Sequence, residues 1–476
     1  MMNTHPRLFQ FGRTAEQIDA ARTLIREFAD GLPFRSARVE ELVLDEDFHR
    51  RPLRPEDFSF ITFGKAVMPE TVARLPFLAT QRLLLSINEA AVVRFPPRDN
   101  ERVWAEFGGF YSPETRNLGE RIRPFLEDFA FEFLSGNQTG HSTSTLIEAL
   151  ETTMMEEGRF WGQIFGRLVS RRYVEEGTRF ALIQNWSLVT TKRLAFARAQ
   201  ASGFFDLAEP QDRPSLEGTI PGDDAIRELA ARCDLLKREH SYWQFYLSTS
   251  MARCNLLHAL ARRPDRPLAF LGAAFDAEAH WLAFGCFIGQ AREYLDLDGA
   301  GRNIDLEAAL EDLRQRFRST LNAVEVRFGP AGLAEVAKGL SASRTLGESA
   351  RADLRAQLHW LSAVEEFRMF AKDIDRRINA ECPDIDRETF VEPKEMCSTT
   401  HVHDDHRLVV IETGNMVFWG NLGMKLKLKP GEMVLVPEGR LHGSSIESDE
   451  CTYHQPIIPE AWIQQLMSGS EVATAA

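Results

Sequence analysis

The sequence predicts a multidomain α + β chain: N-terminal and central helical bundles followed by a C-terminal β-barrel. Three observations carry this. Apolar residues recur at helical spacing through most of the first 380 positions. Beyond them the pattern changes to period two, as in Met424-Lys-Leu-Lys-Leu-Lys429, with turn signals at Thr413-Gly414-Asn415 and Pro430-Gly431. Five of the twelve histidines fall between His401 and His454. The chain of 476 residues has room for two or three cores, and the expected divisions are 1–140, 141–385 and 386–476.

The first part contains helices but no visible chemistry. Residues 15–31 have helical spacing, with Gly31 as a C-terminal cap. Glu46 and His49 have the spacing of a carboxylate–histidine metal pair but stand among prolines and arginines, which reads as a solvated loop. Residues 79–94 read as a buried helix. Ser112 followed by Pro113 is a helix start, and the aromatics from Phe110 to Leu134 form its packed face. Residues 136–145 are small and polar and read as a linker. The second part, with helices expected over 146–174 and 242–263 and a polar loop over 209–224, reads as a compact bundle.

The third part carries the chemistry. His401 and His403 are spaced i, i+2, which on one extended strand puts both imidazoles on the same face. By that parity Arg407 points inward and His406 outward, unless a bulge intervenes. Residues 408–411, 424–429 and 432–436 are the expected strands of a small antiparallel barrel. The stretch from Gly431 through Pro437 and Gly439 to His442, with the earlier His-x-His and Gly414, resembles the two-part cupin motif. Arg407 stands where that motif has a glutamate. Three neutral imidazoles, His401, His403 and His442, suit iron, zinc, copper or nickel and leave positions open for substrate or dioxygen.

Net charge is −14 and the pI is near 5.5, which argues against a nucleic-acid partner. No run of apolar residues is long enough to span a membrane and no hydrophobic signal region opens the chain, so a cytoplasmic protein is expected. The six scattered cysteines are then expected as free or buried thiols.

The stretches Glu239–Ser250, Phe110–Leu134 and Arg440–Tyr453, together with the barrel motif, resemble the N-nitrosourea-forming metalloenzymes of streptozotocin-type biosynthesis. The resemblance implies a helical dimerisation region, a haem-oxygenase-like diiron oxidase domain and an iron cupin. In that family the diiron domain hydroxylates guanidine nitrogens, and the cupin rearranges the product oxidatively with N–N bond formation. It implies here one Fe(II) per chain in the cupin, O2 as co-substrate, a small-molecule substrate and a homodimer. The family's final-helix His-x(3)-Asp-x(2)-His corresponds in this chain to Asp312, Arg316 and Ser319, while Glu278 matches the middle-helix ligand. Other family ligands fall near Ser187, Asp212 and Gly222. A fixed cation at Arg316 opposes bound metal, so Glu278 is read as a vestigial diiron ligand and the hydroxylated substrate would come from a separate N-hydroxylase. The alternatives are a diiron N-oxygenase using Glu209, Glu217, Glu278 and Asp312, or a non-catalytic small-molecule-binding cupin. His240, His258 and His280 are read as structural. Arg407, Tyr453 and His454 are candidate catalytic groups and Arg440 a candidate substrate contact, with rim salt bridges as the other reading of the two arginines.

Overall fold

A computed structural model describes residues 7–31, 61, 63–64, 66–92, 101–134, 141–216, 223–235, 243–297, 305–394, 396–420 and 425–468. The expected metal pair Glu46/His49, Glu217, the ligand position near Gly222, His240 and the first half of the 136–145 linker lie outside these residues.

The multidomain α + β reading holds: helices occupy the described chain up to Glu381, and strands follow from Thr389. Helix α1 spans Ala15–Ala29, opened by a Thr14 capping box in which Gln17 reciprocates. Asp30 caps it, one position before the expected Gly31. Helix α2, Leu75–Glu89, starts earlier and stops earlier than the 79–94 pattern suggested, because Pro76 opens it inside the first turn. After α3 (Glu101–Phe110), α4 spans Pro113–Phe131 with Ser112 at its N-cap, as the Ser-Pro pair predicts. Phe125 and Phe129 of α4 interlock with Phe11 and Phe63 at ring separations of 4.8 to 5.2 Å. The aromatic face from Phe110 to Leu134 is therefore spent inside the chain's own core. A face covered in this way leaves little apolar surface there for a second copy to bury.

The central bundle comprises α5 (Thr143–Arg171), α6 (Val174–Asn185), α7 (Val189–Ala201), α8 (Asp223–Arg232), α9 (Ser248–Ala261), α10 (Pro267–Tyr294) and α11 (Leu306–Ser362). Two expected helices are shorter than their apolar runs. Arg172 takes the left-handed conformation and divides 146–174, and a 3-10 turn at Trp243–Phe245 precedes α9. Helix α11 is interrupted at Gly329, φ 62°, beside Pro330. Helices α10 and α11 approach so closely that a Cβ at Gly339 would lie 1.7 Å from the Ala269 carbonyl oxygen. Helix α12, Val364–Glu381, leads to the barrel and packs on its sixth strand.

The C-terminal part is two antiparallel sheets. One has the order β1 (Thr389–Pro393), β8 (Glu450–His454), β3 (His406–Thr413), β6 (Met433–Val436), with β9 (Ile457–Ile458) also paired to β3. The other runs β2 (Cys397–His401), β7 (His442–Ile446), β4 (Met416–Trp419), β5 (Lys425–Leu428). Gly414, φ 79°, makes the β3–β4 turn, where a Cβ would stand 2.2 Å from the Glu450 carbonyl oxygen. Helix α13, Glu460–Ser468, closes the chain.

Candidate metal centre

The chain does not run as one strand through the His-x-His. His401 ends β2 and His403 lies in the loop that leads to β3 at His406. The same-face argument from a single strand is thus corrected. Convergence comes instead from cross-strand pairing, with His401 directly opposite His442, and from the turn that folds His403 back. The Gly439 amide donates to the His403 carbonyl at 3.0 Å and ties the two motif halves together.

The result is a compact imidazole triad. Ring centroids lie 4.9 Å apart for His401 and His403, 4.5 Å for His401 and His442, and 4.9 Å for His403 and His442. One ligand-capable nitrogen from each lies within 4.8 Å of the others. His442 Nδ1 sits 2.8 Å from the Arg440 carbonyl oxygen, so Nδ1 carries the proton and Nε2 keeps its lone pair. His403 Nε2 is buried with no hydrogen-bond partner among the described residues. An orphaned imidazole nitrogen beside two others is what a metal ligand looks like without its ion. Burial, reinforced by neighbouring imidazoles, draws the pKa of His403 down to about 3 and that of His442 well below its usual value. Both rings are therefore neutral at physiological pH, the state that binds a metal. The donor set fits a divalent transition metal, iron included.

The helical bundle supplies the surroundings. Gln357 of α11, fully buried, donates from Nε2 to the Gly439 carbonyl at 2.7 Å and accepts from the Leu441 amide at 3.2 Å. It clamps the loop that delivers His442. Asp353 stands one turn back, accepting from Thr249 at 2.9 Å. Trp360 meets Phe418 edge-on, and Phe418 stacks on His442. On the His401 side, Arg82 of α2 donates to the Thr400 carbonyl at 2.9 Å and the Gln244 carbonyl at 3.2 Å. None of these groups is marked in the sequence, because each becomes relevant only when α2, α9 and α11 are packed against the barrel.

The remaining candidates are placed elsewhere. Arg407 is committed to Asp405 and Glu388 and to the Gln455 carbonyl, which is the salt-bridge reading; its charge reaches the triad only as a field. The parity counted from His401 does not by itself fix the side on which Arg407 lies, because a loop separates β2 from the start of β3 at His406. Tyr453 stacks on Phe390 at 5.3 Å and hydrogen-bonds Glu392, and burial raises its pKa. His454 is held by Thr389 at 2.9 Å and Glu412 at 3.3 Å. Both lie on β8, in the sheet opposite the His401–His442 pair, and the structure does not bring them into the triad. The side chain of Arg440 lies in the field of Asp353 and Glu438, while its carbonyl sets the His442 tautomer. His406 is buried against Glu460 and accepts from the Glu438 amide at Nδ1. Although His406, Glu438 and Glu460 also cluster, that amide occupies the Nδ1 lone pair. Nε2 must then keep its proton, so the ring cannot ligate through it.

In the bundle, Glu278 does not face metal-ligand chemistry. Arg316 grips it through both terminal nitrogens, at 2.7 and 3.2 Å, and the Ser215 amide donates at 3.0 Å. Asp312 takes Arg316 Nε at 2.7 Å, and Ser319 bonds Asp212 at 2.6 Å. The positions that match family ligands thus satisfy one another. Glu209 is exposed.

Fold and site together define a cupin-type barrel with a three-histidine centre, backed by a helical bundle. The AraC-like ligand binding domain family matches residues 392–475, which is this barrel. The whole chain is similar to nitrosourea synthase of Streptomyces achromogenes subsp. streptozoticus, 28% identical over 428 residues, covering 85% of this chain and 88% of that enzyme. The similarity spans helices and barrel alike, in keeping with the haem-oxygenase-like plus cupin architecture. Among the described residues no helix is long and apolar enough to cross a membrane.

Proposed function

We propose that the chain is a mononuclear non-haem iron enzyme of natural-product biosynthesis, acting in the cytoplasm on an N-hydroxylated guanidine or a related N-hydroxylated metabolite. The reaction is an O2-dependent oxidative rearrangement that forms an N–N bond of the N-nitroso type. One observation carries the reading: three imidazoles converge, one with an orphaned buried nitrogen, in a chain similar along most of its length to nitrosourea synthase. His401, His403 and His442 would hold the iron, which supplies redox chemistry and an open position for dioxygen. The chain's own residues do the positioning. The Arg440 carbonyl holds the His442 proton at Nδ1, Gln357 fixes the loop, and Phe418 covers one imidazole face. Arg316 occupies the only described Glu among the matched ligand positions, so the hydroxylation is assigned to a separate N-hydroxylase. Self-association into a homodimer belongs to this reading through the resemblance, by a surface other than the spent Phe110–Leu134 face.

Anaerobic Fe(II) loading of the full chain tests it, with iron counted per chain and products of hydroxylated arginines followed by mass after oxygen is admitted. Near one iron per chain and a product that requires oxygen support the reading. Near three irons, or hydroxylation of an unmodified guanidine, would restore a working diiron bundle. The match of residues 392–475 to a ligand binding domain family favours a second reading, a cupin that binds a small molecule without transforming it. Unchanged substrate bound equally well by metal-free protein would favour that one.

A further inference from the structure

The face of α10 that carries Asp276 and His280 looks away from the Glu278–Arg316 pair, into a separate set of buried charges. His280 Nδ1 lies 2.5 Å from Glu157 Oε1, and its Nε2 lies 3.1 Å from Asp276 Oδ2. Neither ring nitrogen of His280 forms a hydrogen bond with a described residue. Arg351 reaches Glu157 at 2.8 Å and Glu156 at 3.2 Å. Next to this cluster is a small cavity whose wall includes Asn185, Lys192, Arg253, His280, Trp281 and Ser343. Its free volume is about 10 Å³, room for one body the size of a water molecule.

Lys192 and Arg253 are the unusual parts of that wall. Lys192 is only 8% exposed. Neither cation makes a hydrogen bond or close ion pair with a described residue; Lys192 lies in the field of Arg253 and Glu157, and Arg253 in that of Glu157, Asp276 and Arg351. An ammonium and a guanidinium taken from water without a bonded counterion cost several kcal/mol, so an anion that bonds both is favoured.

We propose that this cavity binds a single small monovalent anion, of halide or formate size, held between the Lys192 ammonium and the Arg253 guanidinium with the Ser343 hydroxyl at the wall. The anion gives both cations a bonded counterion, and the cavity's size limits it to a small body. Burial and Arg253 draw the Lys192 pKa down to about 8, which leaves it mostly cationic at neutral pH and able to hold the anion. Because the site binds only in the folded bundle, anion concentration sets part of the bundle's stability. The site rests on none of the barrel chemistry.

Trp281 in the cavity wall provides the readout. The full chain is placed in gluconate buffer at constant ionic strength and titrated with sodium bromide, whose heavy atom quenches an indole it touches. The expected result is a saturable quench that disappears in Trp281→Phe, and that needs roughly tenfold or more bromide in Lys192→Met and in Arg253→Met. Formate should compete with bromide, and propionate should not. Quenching that rises without saturation, or is the same in both cation variants, overturns the site. Equal competition by propionate overturns the small-anion assignment in favour of a larger carboxylate. Circular dichroism reports whether each variant folds; if a cation variant does not, the comparison of the unsubstituted chain with Trp281→Phe still decides.

Discussion

At the residue scale, histidines of one kind do different work according to what faces each nitrogen. His442 has a carbonyl at Nδ1, His403 nothing at Nε2, and His406 an amide at Nδ1. Only the first two arrangements leave a lone pair for a metal. Replacing His442 by Ala should therefore weaken metal binding by more than the ~10–100-fold that loss of a supporting group produces, with the helical circular dichroism intact. Unchanged metal content would place the site elsewhere. His258 in the bundle is a case without metal. Its Nε2 meets the Thr191 carbonyl at 2.8 Å, and burial, helped by Arg262, draws its pKa to about 3. The folded value lies below the unfolded value of about 6.5, so on acidification the unfolded chain takes the proton first. The stability contribution is complete above pH ~6.5 and falls by up to about 1.4 kcal/mol per pH unit toward pH ~3. Urea unfolding at pH 7.5, 6 and 5 should show a shallower acid loss for His258→Gln than for the unsubstituted chain.

At the scale of elements, α11 serves two sites at once. Its first half presents Arg316 to Glu278, and its second half, beyond the break at Gly329, presents Asp353, Gln357 and Trp360 to the barrel. The clamp by Gln357 needs one group that both donates and accepts. Gln357→Leu leaves the Gly439 carbonyl and Leu441 amide unpaired, which should cost about 1–3 kcal/mol of stability. It should also weaken metal binding by ~10–100-fold through the displaced His442 loop. Gln357→Glu keeps the acceptor alone and should fall between the two. Metal titration monitored through the visible bands of bound Co(II) checks this, and identical affinity in all three proteins would deny the clamp its role.

For the whole molecule, the bundle shares the sequence similarity to nitrosourea synthase, and Glu278, Arg316 and Asp312 are joined to one another within it. Removing one partner of a buried pair exposes the other to an apolar interior. Glu278→Ala should therefore cost about 3–5 kcal/mol, whereas Glu278→Leu combined with Arg316→Met should be close to neutral. Denaturant unfolding of both variants, with iron content measured alongside, separates a structural pair from a metal ligand. Iron per chain should be the same in all of them, and a drop in Glu278→Ala that the stability loss does not explain would point to metal at that position.

Spacing alone was enough for the elements whose cause is local. The Ser112-Pro113 helix start, the Gly414 turn and the interval from Gly431 to His442 depend on backbone conformation within a few residues, and each is legible in order along the chain. The exchange of a ligand position for Arg316 is equally plain, since charge is a property of the residue type. Which nitrogen of each histidine is free was not legible, and neither was the path that folds His403 back. These depend on a carbonyl, an amide or an empty space supplied by the fold around them. The same holds for Gln357 and Gln244, which reach the barrel from 82 and 156 residues away. It holds also for the aromatics of α4, whose partners Phe11 and Phe63 are distant in the chain. A hydrophobic period states that a face will be buried. Only the tertiary structure decides whether another part of the same chain or a second chain covers it, because burial stabilises either arrangement through the same apolar area.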